Sequence, residues 1–218
     1  LVGSEMCIRD STALYRLPRS HDAGDLRLSP RRASARPVEP VPASKAVFAS
    51  GSYINPMNKE FALCGLGNAI VDIFLELNET EFAPLGFERG STRLVDKEEQ
   101  QILLDRFHHT DPRLAAGGSV ANSVIGFSQL GGKAAFIGCV GDDRYGLFYQ
   151  QEFEQLGIEI GNPAIVDETT GTCAAIITPD AERTMRTCLA VSGHLAERHV
   201  DENRIKKSEW LFIEGYVF

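Results

Sequence analysis

The chain has 218 residues, of which 43% are hydrophobic and 24% are charged, a composition typical of a globular protein with a buried core. Lys and Arg total 22 against 30 Asp and Glu, and the formal net charge of −8 argues against nucleic acid as the main partner, because phosphate binding needs a positive surface. No apolar run approaches the roughly 18 residues of a membrane-spanning helix, so we expect no membrane partner.

The five cysteines are scattered along the chain, and no two of them have CxxC or zinc-site spacing. They are Cys7, Cys64, Cys139, Cys173 and Cys188. An odd, scattered set predicts reduced thiols in a reducing compartment. Together with the missing secretion signal, it predicts a cytoplasmic protein.

The composition changes near residue 57. Residues 1–59 hold nine Lys or Arg, five Asp or Glu and six of the ten prolines, whereas 17 of the 20 glycines follow them. We predict that residues 1–56 are a disordered or artefactual extension, because few large apolar residues are present to offset the entropy of ordering. Residues 1–11 resemble a translated sequencing adapter, which would place the biological start at Met57. A regulatory tail or a transit peptide are the alternatives, although acidic residues disfavour the latter.

Beyond residue 60, apolar runs alternate with amphipathic stretches. In chain order the sequence predicts strands at 61–67 and 70–77, helices at 96–107 and 119–130, a strand at 134–140, a helix at 144–156, strands at 172–178 and 184–189, a helix at 201–207 and a strand at 210–215. Asp96 is the predicted N-cap of the first helix, and Ile102, Leu103 and Phe107 form its predicted apolar side. This alternation indicates an α/β fold with a mostly parallel sheet covered on both faces. We expect the glycine turns after residues 66, 116, 140 and 214 to lie at one rim, where ligands of such sheets bind.

A carboxylate interrupts an apolar strand at Asp72, between Val71 and Ile73. Such a position is costly unless the carboxylate binds something, and its two acceptor oxygens suit neighbouring hydroxyls on a sugar ring. A turn residue at Asn68 and a strand-edge Asp72 facing water are the alternative. The preceding Gly65-Leu-Gly-Asn-Ala-Ile70 lacks the third glycine of a dinucleotide-binding turn, which disfavours that class of site.

A second candidate site is Gly117-Gly-Ser-Val-Ala-Asn122. Two glycines let the backbone approach a ligand, and the start of the following helix offers unpaired N–H groups. Asn122 lies one helical turn beyond Gly118, so its amide can face the same pocket. The alternative is a glycine-rich helix start at which Asn122 caps locally.

Other polar groups have simpler explanations. Asp142 and Asp143, beside Arg144, are candidate catalytic or metal-binding carboxylates, but we favour a solvated turn with helix-capping acids. No metal ligand set is predicted. The sequence also lacks GxSxG, HExxH and Walker GxxxxGK[ST] motifs, which excludes the common hydrolase, zincin and P-loop classes.

Together these blocks resemble the PfkB (ribokinase-like) family of carbohydrate and nucleoside kinases. The resemblance rests on Asn68, Asp72, the Gly117-Gly118-Ser119 block with Asn122, Gly131, Gly141 and Gly146, and within the family residues 65–72 and 170–174 look most like the adenosine-kinase-like branch. It implies a three-layer α/β/α fold with a mostly parallel sheet and a small β lid, to which residues 70–77 and 172–189 contribute. Val120 and Val124 depart from the small residues that the family prefers there.

The resemblance implies an enzyme that moves the γ-phosphoryl group of ATP, with Mg²⁺, to a hydroxymethyl group of a nucleoside or sugar. The implied substrate-binding residues are Asn68, Asp72, Gly117, Gly118, Ser119, Asn122, Cys173, Leu189 and Tyr216, with Arg183 at a lid position near the transferred phosphate. A sugar kinase of the same family, acting on a ketose or a keto-deoxy sugar acid, is the alternative. A non-catalytic sugar- or nucleoside-binding protein on this fold is another. The resemblance leaves a monomer and a lid-mediated homodimer open.

One part of the family pattern has no counterpart in the sequence. The family's catalytic aspartate lies in a Gly-Ala-Gly-Asp block, and no such block occurs here. Residues 57–218 correspond to about half of a family member, so we expect a chain truncated at the C-terminus. It would keep the substrate-binding and lid part, lack most of the ATP site and be inactive by itself.

Overall fold

The computed structural model describes residues 12–16 and 59–215. Its strands and helices follow one another in an alternating pattern. The strands are β1 Thr12–Arg16, β2 Phe61–Leu66, β3 Ile70–Glu76, β4 Thr92–Leu94, β5 Arg113–Gly117, β6 Ala134–Ile137, β7 Glu159–Ile160, β8 Gly171–Ile177, β9 Arg183–Cys188 and β10 Ser208–Glu214. The helices are α1 Glu79–Phe82, α2 Lys97–Arg106, α3 Ser119–Gln129, α4 Arg144–Gln155 and α5 Glu202–Lys206. Every helix and strand predicted from the sequence is present, with shifts of a few residues at some ends.

The first sheet has the strand order β1-β10-β2-β6-β7. Strands β10, β2, β6 and β7 are parallel to one another, and β1 is antiparallel to β10. The prediction of a mostly parallel sheet is therefore confirmed. The rest of residues 1–56 lies outside the described residues, and for it the predicted disordered or artefactual extension stays a prediction.

Alternate residues of the first sheet enter two different cores. Phe136 of β6 packs with Val124 of α3 and Phe153 of α4, and the two phenyl rings lie 5.3 Å apart. Cys64 and Ile137 face the other side, in the smaller core that Ile205 of α5 helps to cover. Both faces are thus buried, which explains why these strands read as continuous apolar runs.

The second sheet has the order β4-β9-β8-β3-β5 and mixes orientations. Strand β3 is parallel to β8 and antiparallel to β5, while β9 is antiparallel to β8 and parallel to β4. The two segments expected to form a small β lid, 70–77 and 172–189, therefore lie in one sheet. Strands β4 and β5 complete it and were not predicted.

Helix α2 begins as predicted, since an Asp96 carboxylate oxygen accepts a hydrogen bond from the backbone N–H of Glu99 at 2.8 Å. Leu103 and Phe107 are buried, as expected, but Ile102 is 64% exposed and its assignment to the apolar side was wrong. The inward stripe is Gln100, Leu103 and Phe107, at the spacing of three and four residues that keeps side chains on one helix face.

Val120 and Val124, the two departures from the family pattern, are fully buried against β2. A Cβ placed on Gly65 would lie 2.7 Å from Val120 Cγ1 and 2.5 Å from Val124 Cγ2. The missing side chain at Gly65 thus makes the room that the larger valines need, and α3 packs directly on the backbone of β2.

Cys64, Cys139, Cys173 and Cys188 are all buried thiols. Burial raises the pKa of Cys64 to about 12 and that of Cys139 to about 11. Cys7 lies outside the described residues. None of the helices within residues 59–215 is long and apolar enough to span a bilayer.

Candidate functional site

Asp72 and the Gly117-Gly118 turn are neighbours in space. In the antiparallel pairing of β3 with β5, Ile70 lies opposite Gly117 and Asp72 lies opposite Ala115. A Cβ placed on Gly117 would lie 2.5 Å from Asp72 Oδ2, so the carboxylate rests directly on the glycine backbone. The two candidate sites predicted from the sequence therefore meet at one point.

The backbone of Asn68 packs against the same glycine turn. Gly118 has a φ of 109°, and a Cβ there would collide with the backbone oxygen of Asn68. Glycine is required at this position for both reasons, because side chains rarely adopt such a φ and the carbonyl leaves no space for one. The turn between β2 and β3 is thus packed against the turn between β5 and α3.

A buried glutamate that the sequence reasoning missed lies on the other side of these turns. Glu214, the last residue of β10, is 1% exposed. Its Oε1 accepts a hydrogen bond from the backbone N–H of Asn68 at 2.5 Å, and its Oε2 accepts one from that of Val120 at 3.4 Å. An acid at the end of the apolar run Trp210–Glu214 was the available signal. It is the same signal that singled out Asp72.

The turns after residues 66 and 116 therefore meet at one rim, as predicted, and Glu214 at the end of β10 lies there with them. The turn predicted after residue 214 continues outside the described residues. The segment after β6 lies at the same rim, because β6 is parallel to β2 and a Cβ placed on Gly138 would lie 2.8 Å from the backbone oxygen of Gly67. Further along this segment, the backbone N–H of Gly141 donates to Thr170 Oγ1 at 2.9 Å.

Burial dominates the electrostatics of Asp72. It raises the pKa of this half-buried carboxyl from 3.8 to about 6, and the positive charge of Arg183 opposes that rise. Arg183, at the start of β9, was predicted at a lid position near the transferred phosphate. Its charge acts on Asp72, although its own side chain is exposed.

Tyr149 of α4 forms a hydrogen bond with the Gly117-Gly118 turn. Its buried hydroxyl donates a hydrogen bond to the backbone oxygen of Gly117 at 3.2 Å. Burial raises the pKa of this phenol well above 10, and the charges of Glu214 and Asp72 add to the rise. The two carboxylates lie close to the same turn, since Asp72 rests on the Gly117 backbone and Glu214 accepts from the N–H of Val120, two residues after Gly118.

Asn122 and Ser119 lie in the first turns of α3. The backbone N–H of Asn122 donates to the oxygen of Gly118 at 2.8 Å, and its side chain is exposed. Gly118 is the N-cap of the helix, so Asn122 does not occupy the capping position that the alternative gave it. That the side chains of Asn122 and Asp72 share one cavity stays a prediction.

The residues predicted to wall the base lie partly within the described chain. Cys173 of β8 is the register partner of Asp72 in the parallel pairing with β3, so both side chains project to the same face of the second sheet. Leu189 follows β9 and is half-buried. Tyr216 lies outside the described residues.

Asp143 has the capping role that we favoured for it. Its Oδ1 accepts hydrogen bonds from the backbone N–H of Gly146 at 2.8 Å and from Thr170 Oγ1 at 2.6 Å. Within residues 59–215, no group of three or more His, Cys, Asp or Glu side chains is placed to hold a metal ion.

Two surface cavities lie elsewhere. One of about 520 Å³ is bordered by Gln150 and residues 157–160, and another of about 360 Å³ by residues 141–144 and Ala164. Neither includes Asp72 or Asn122, so the polar cluster and not cavity size identifies the candidate site.

Comparison with known proteins agrees with this geometry. A family model described as pfkB family carbohydrate kinase matches residues 94–218, more than half of the chain. The chain is 28% identical over 169 residues to the 5-dehydro-2-deoxygluconokinase of Halalkalibacterium halodurans, covering 75% of this chain and 44% of that protein.

Two solved structures share the fold. The adenosine kinase from Sinorhizobium meliloti matches with a TM-score of 0.60 and 26% identity, over 68% of this chain and 45% of that one. The probable sugar kinase from Rhizobium etli matches with a TM-score of 0.61 and 27% identity, over 69% and 45%. The chain thus spans less than half the length of each of these three proteins. The family model matches more than half of the chain, and the two-sheet architecture with a carboxylate at the double-glycine turn is consistent with it. The chain therefore belongs to the pfkB family of carbohydrate kinases.

Proposed function

We propose that this chain forms the acceptor-binding part of an ATP-dependent kinase that phosphorylates a hydroxymethyl group of a nucleoside. The proposal rests above all on the Asp72 carboxylate, which lies on the Gly117 backbone with its pKa raised by burial. A carboxylate in such surroundings gains from hydroxyl donors that replace lost water, and two adjacent ribose hydroxyls match its two oxygens.

The neighbouring groups complete a clamp for such a ligand. In the proposed complex the amide of Asn122 and the backbone at Gly118 contact the sugar beside Asp72. Cys173, on the same sheet face as Asp72, and Leu189 border the base. Arg183 approaches the hydroxymethyl end, where it would stabilise the negative charge of the transferred group. ATP with Mg²⁺ supplies the phosphoryl group in this scheme, while the described residues bind and orient the acceptor.

A sugar kinase is the second candidate. The similarities to the Halalkalibacterium halodurans 5-dehydro-2-deoxygluconokinase and to the probable sugar kinase from Rhizobium etli are as strong as those to an adenosine kinase. The same carboxylate would then bind sugar hydroxyls, and Cys173 and Leu189 would contact no base.

The binding of acceptors to the 218-residue chain tests the proposal. We expect adenosine to raise the melting temperature more than ribose, fructose or a keto-deoxy sugar acid at equal concentration. A ligand at 100 times its Kd stabilises a protein by about 2.7 kcal/mol, a shift of several degrees in a scanning fluorimetry experiment. A larger shift with fructose or the sugar acid would favour the sugar kinase, and no shift with any of the four would contradict both.

Turnover is a separate expectation. Because no Gly-Ala-Gly-Asp block occurs in the sequence, we expect this chain to bind an acceptor without consuming ATP. An assay for ADP release with adenosine, ATP and Mg²⁺ measures this. ATP-dependent product formation that Asp72→Asn abolishes would contradict the expectation, and Asp142→Asn provides the control for a carboxylate outside the clamp.

A further inference from the structure

Glu214 occupies a position where a carboxylate is costly. It ends β10 next to Ile213 and is 1% exposed, and burial raises its pKa. The hydrogen bonds that it accepts from the backbone N–H groups of Asn68 and Val120 oppose that rise. The carboxylate is thus stabilised by the two segments that carry the candidate site.

One of these segments is the start of α3. The N-cap of this helix is Gly118, which has no side chain to accept the unpaired N–H groups of the first turn. Glu214 supplies the acceptor from another strand, because its Oε2 lies 3.4 Å from the backbone nitrogen of Val120. A negative charge also suits the positive end of the helix dipole.

The other segment is the turn between β2 and β3. Glu214 Oε1 holds the backbone N–H of Asn68 at 2.5 Å, and the Asn68 carbonyl packs on Gly118. A Cβ on Gly67 would lie 2.8 Å from Glu214 Cδ, so the turn closes tightly around the carboxylate. One side chain therefore fixes the turn that leads into β3, which carries Asp72, against the helix that carries Asn122.

We infer that Glu214 is a positioning residue of the acceptor site, one that sets the placement of Asp72 relative to Asn122 without itself contacting the ligand. The inference rests on the proposed function for its consequence in binding. Its structural part can be measured without any ligand.

The test compares Glu214→Gln with Glu209→Gln, the same substitution at an exposed position of the same strand. A glutamine can accept from only one of the two backbone amides, because its NH₂ group faces the other. We expect the amide proton resonance of Asn68 to move upfield in Glu214→Gln, because a hydrogen bond to a neutral acceptor is weaker than one to a carboxylate. The resonances of Asp72 and Asn122 should move with it, and none of the three should move in Glu209→Gln. Changes confined to β10 would overturn the inference.

A second variant covers a failure of Glu214→Gln to fold. Gly67→Ala displaces the same carboxylate without neutralising it, and should move the same Asn68, Asp72 and Asn122 resonances. Unmoved Asp72 and Asn122 resonances would overturn the inference in that variant too.

Binding provides the functional readout. For an acceptor that the unsubstituted chain binds, we expect Glu214→Gln to raise Kd by about tenfold while Glu209→Gln leaves it unchanged. An unchanged Kd in Glu214→Gln would overturn the inference. If the unsubstituted chain binds none of the four acceptors, the proposed function fails, and the resonances still decide the positioning role.

Discussion

Asp72→Asn is expected to abolish acceptor binding and, at neutral pH, to make the folded chain more stable. The carboxylate is ionised at pH 7 in surroundings that disfavour its charge, with a pKa of about 6 against an ordinary 3.8. A difference of that size corresponds to about 3 kcal/mol of destabilisation, which the neutral amide avoids. Asparagine keeps the shape of the side chain but offers only one acceptor oxygen to a pair of hydroxyls.

The sign of the pH dependence follows from the raised pKa. Below the ordinary value of 3.8 the carboxyl is protonated in the folded and unfolded states, so Asp72 imposes no penalty. The penalty grows as pH rises and is complete above about pH 6. The stability gained in Asp72→Asn should therefore be largest at pH 7 and vanish about one pH unit below the ordinary pKa of 3.8. Acceptor affinity of the unsubstituted chain should fall as pH drops below 6, because protonation removes an acceptor oxygen.

Urea unfolding at several pH values measures the stability effect, and titration calorimetry measures binding. Asp142→Asn is the matched control, since Asp142 is exposed and lies outside the clamp. It should change neither quantity. Retained binding in Asp72→Asn, or a loss of stability at pH 7, would contradict the role given to this carboxylate.

Gly118→Ala is expected to destabilise the chain by about 2–4 kcal/mol. An alanine would be strained at a φ of 109°, and its Cβ would collide with the backbone oxygen of Asn68. Because that carbonyl belongs to the turn held by Glu214, the collision cannot be relieved by rotating a flexible side chain. We expect a lower urea midpoint and loss of acceptor binding.

Gly126→Ala is the control for this substitution within the same helix. A Cβ at Gly126 would meet nothing within 4 Å, and alanine favours the interior of a helix by about 0.5–1 kcal/mol over glycine. The two Gly→Ala changes in α3 should therefore shift the urea midpoint in opposite directions. Equal shifts would mean that the close approach of Asn68 to Gly118 does not limit stability.

Sequence patterns were sufficient to predict an element where a strand is buried on both faces or where a side chain caps its own helix. The apolar run at 61–66 and the cap at Asp96 are of this kind, since their signals are local. The patterns were insufficient to predict strands that are defined only by pairing with distant parts of the chain. Strand β4 is exposed at all three residues, and β5 consists mainly of small residues, so neither carries an apolar period.

The candidate site shows the same division. Asp72 and the Gly117-Gly118 turn were predicted because each breaks a local pattern. Glu214 was missed because its partners, Asn68 and Val120, are 146 and 94 residues away in sequence. An acid at the end of a buried strand is informative only once the turns that surround it are known.

The reactivity of the buried thiols can report separately on the two sheets. Cys64 lies in β2 of the first sheet, whereas Cys173 and Cys188 lie in β8 and β9 of the second. An alkylating reagent attacks only a thiolate that solvent can reach, so these sulfurs are protected while their sheet stays closed. Alkylation at each site therefore follows the opening of the sheet that encloses it, and distinguishes motion of the second sheet from unfolding of the first.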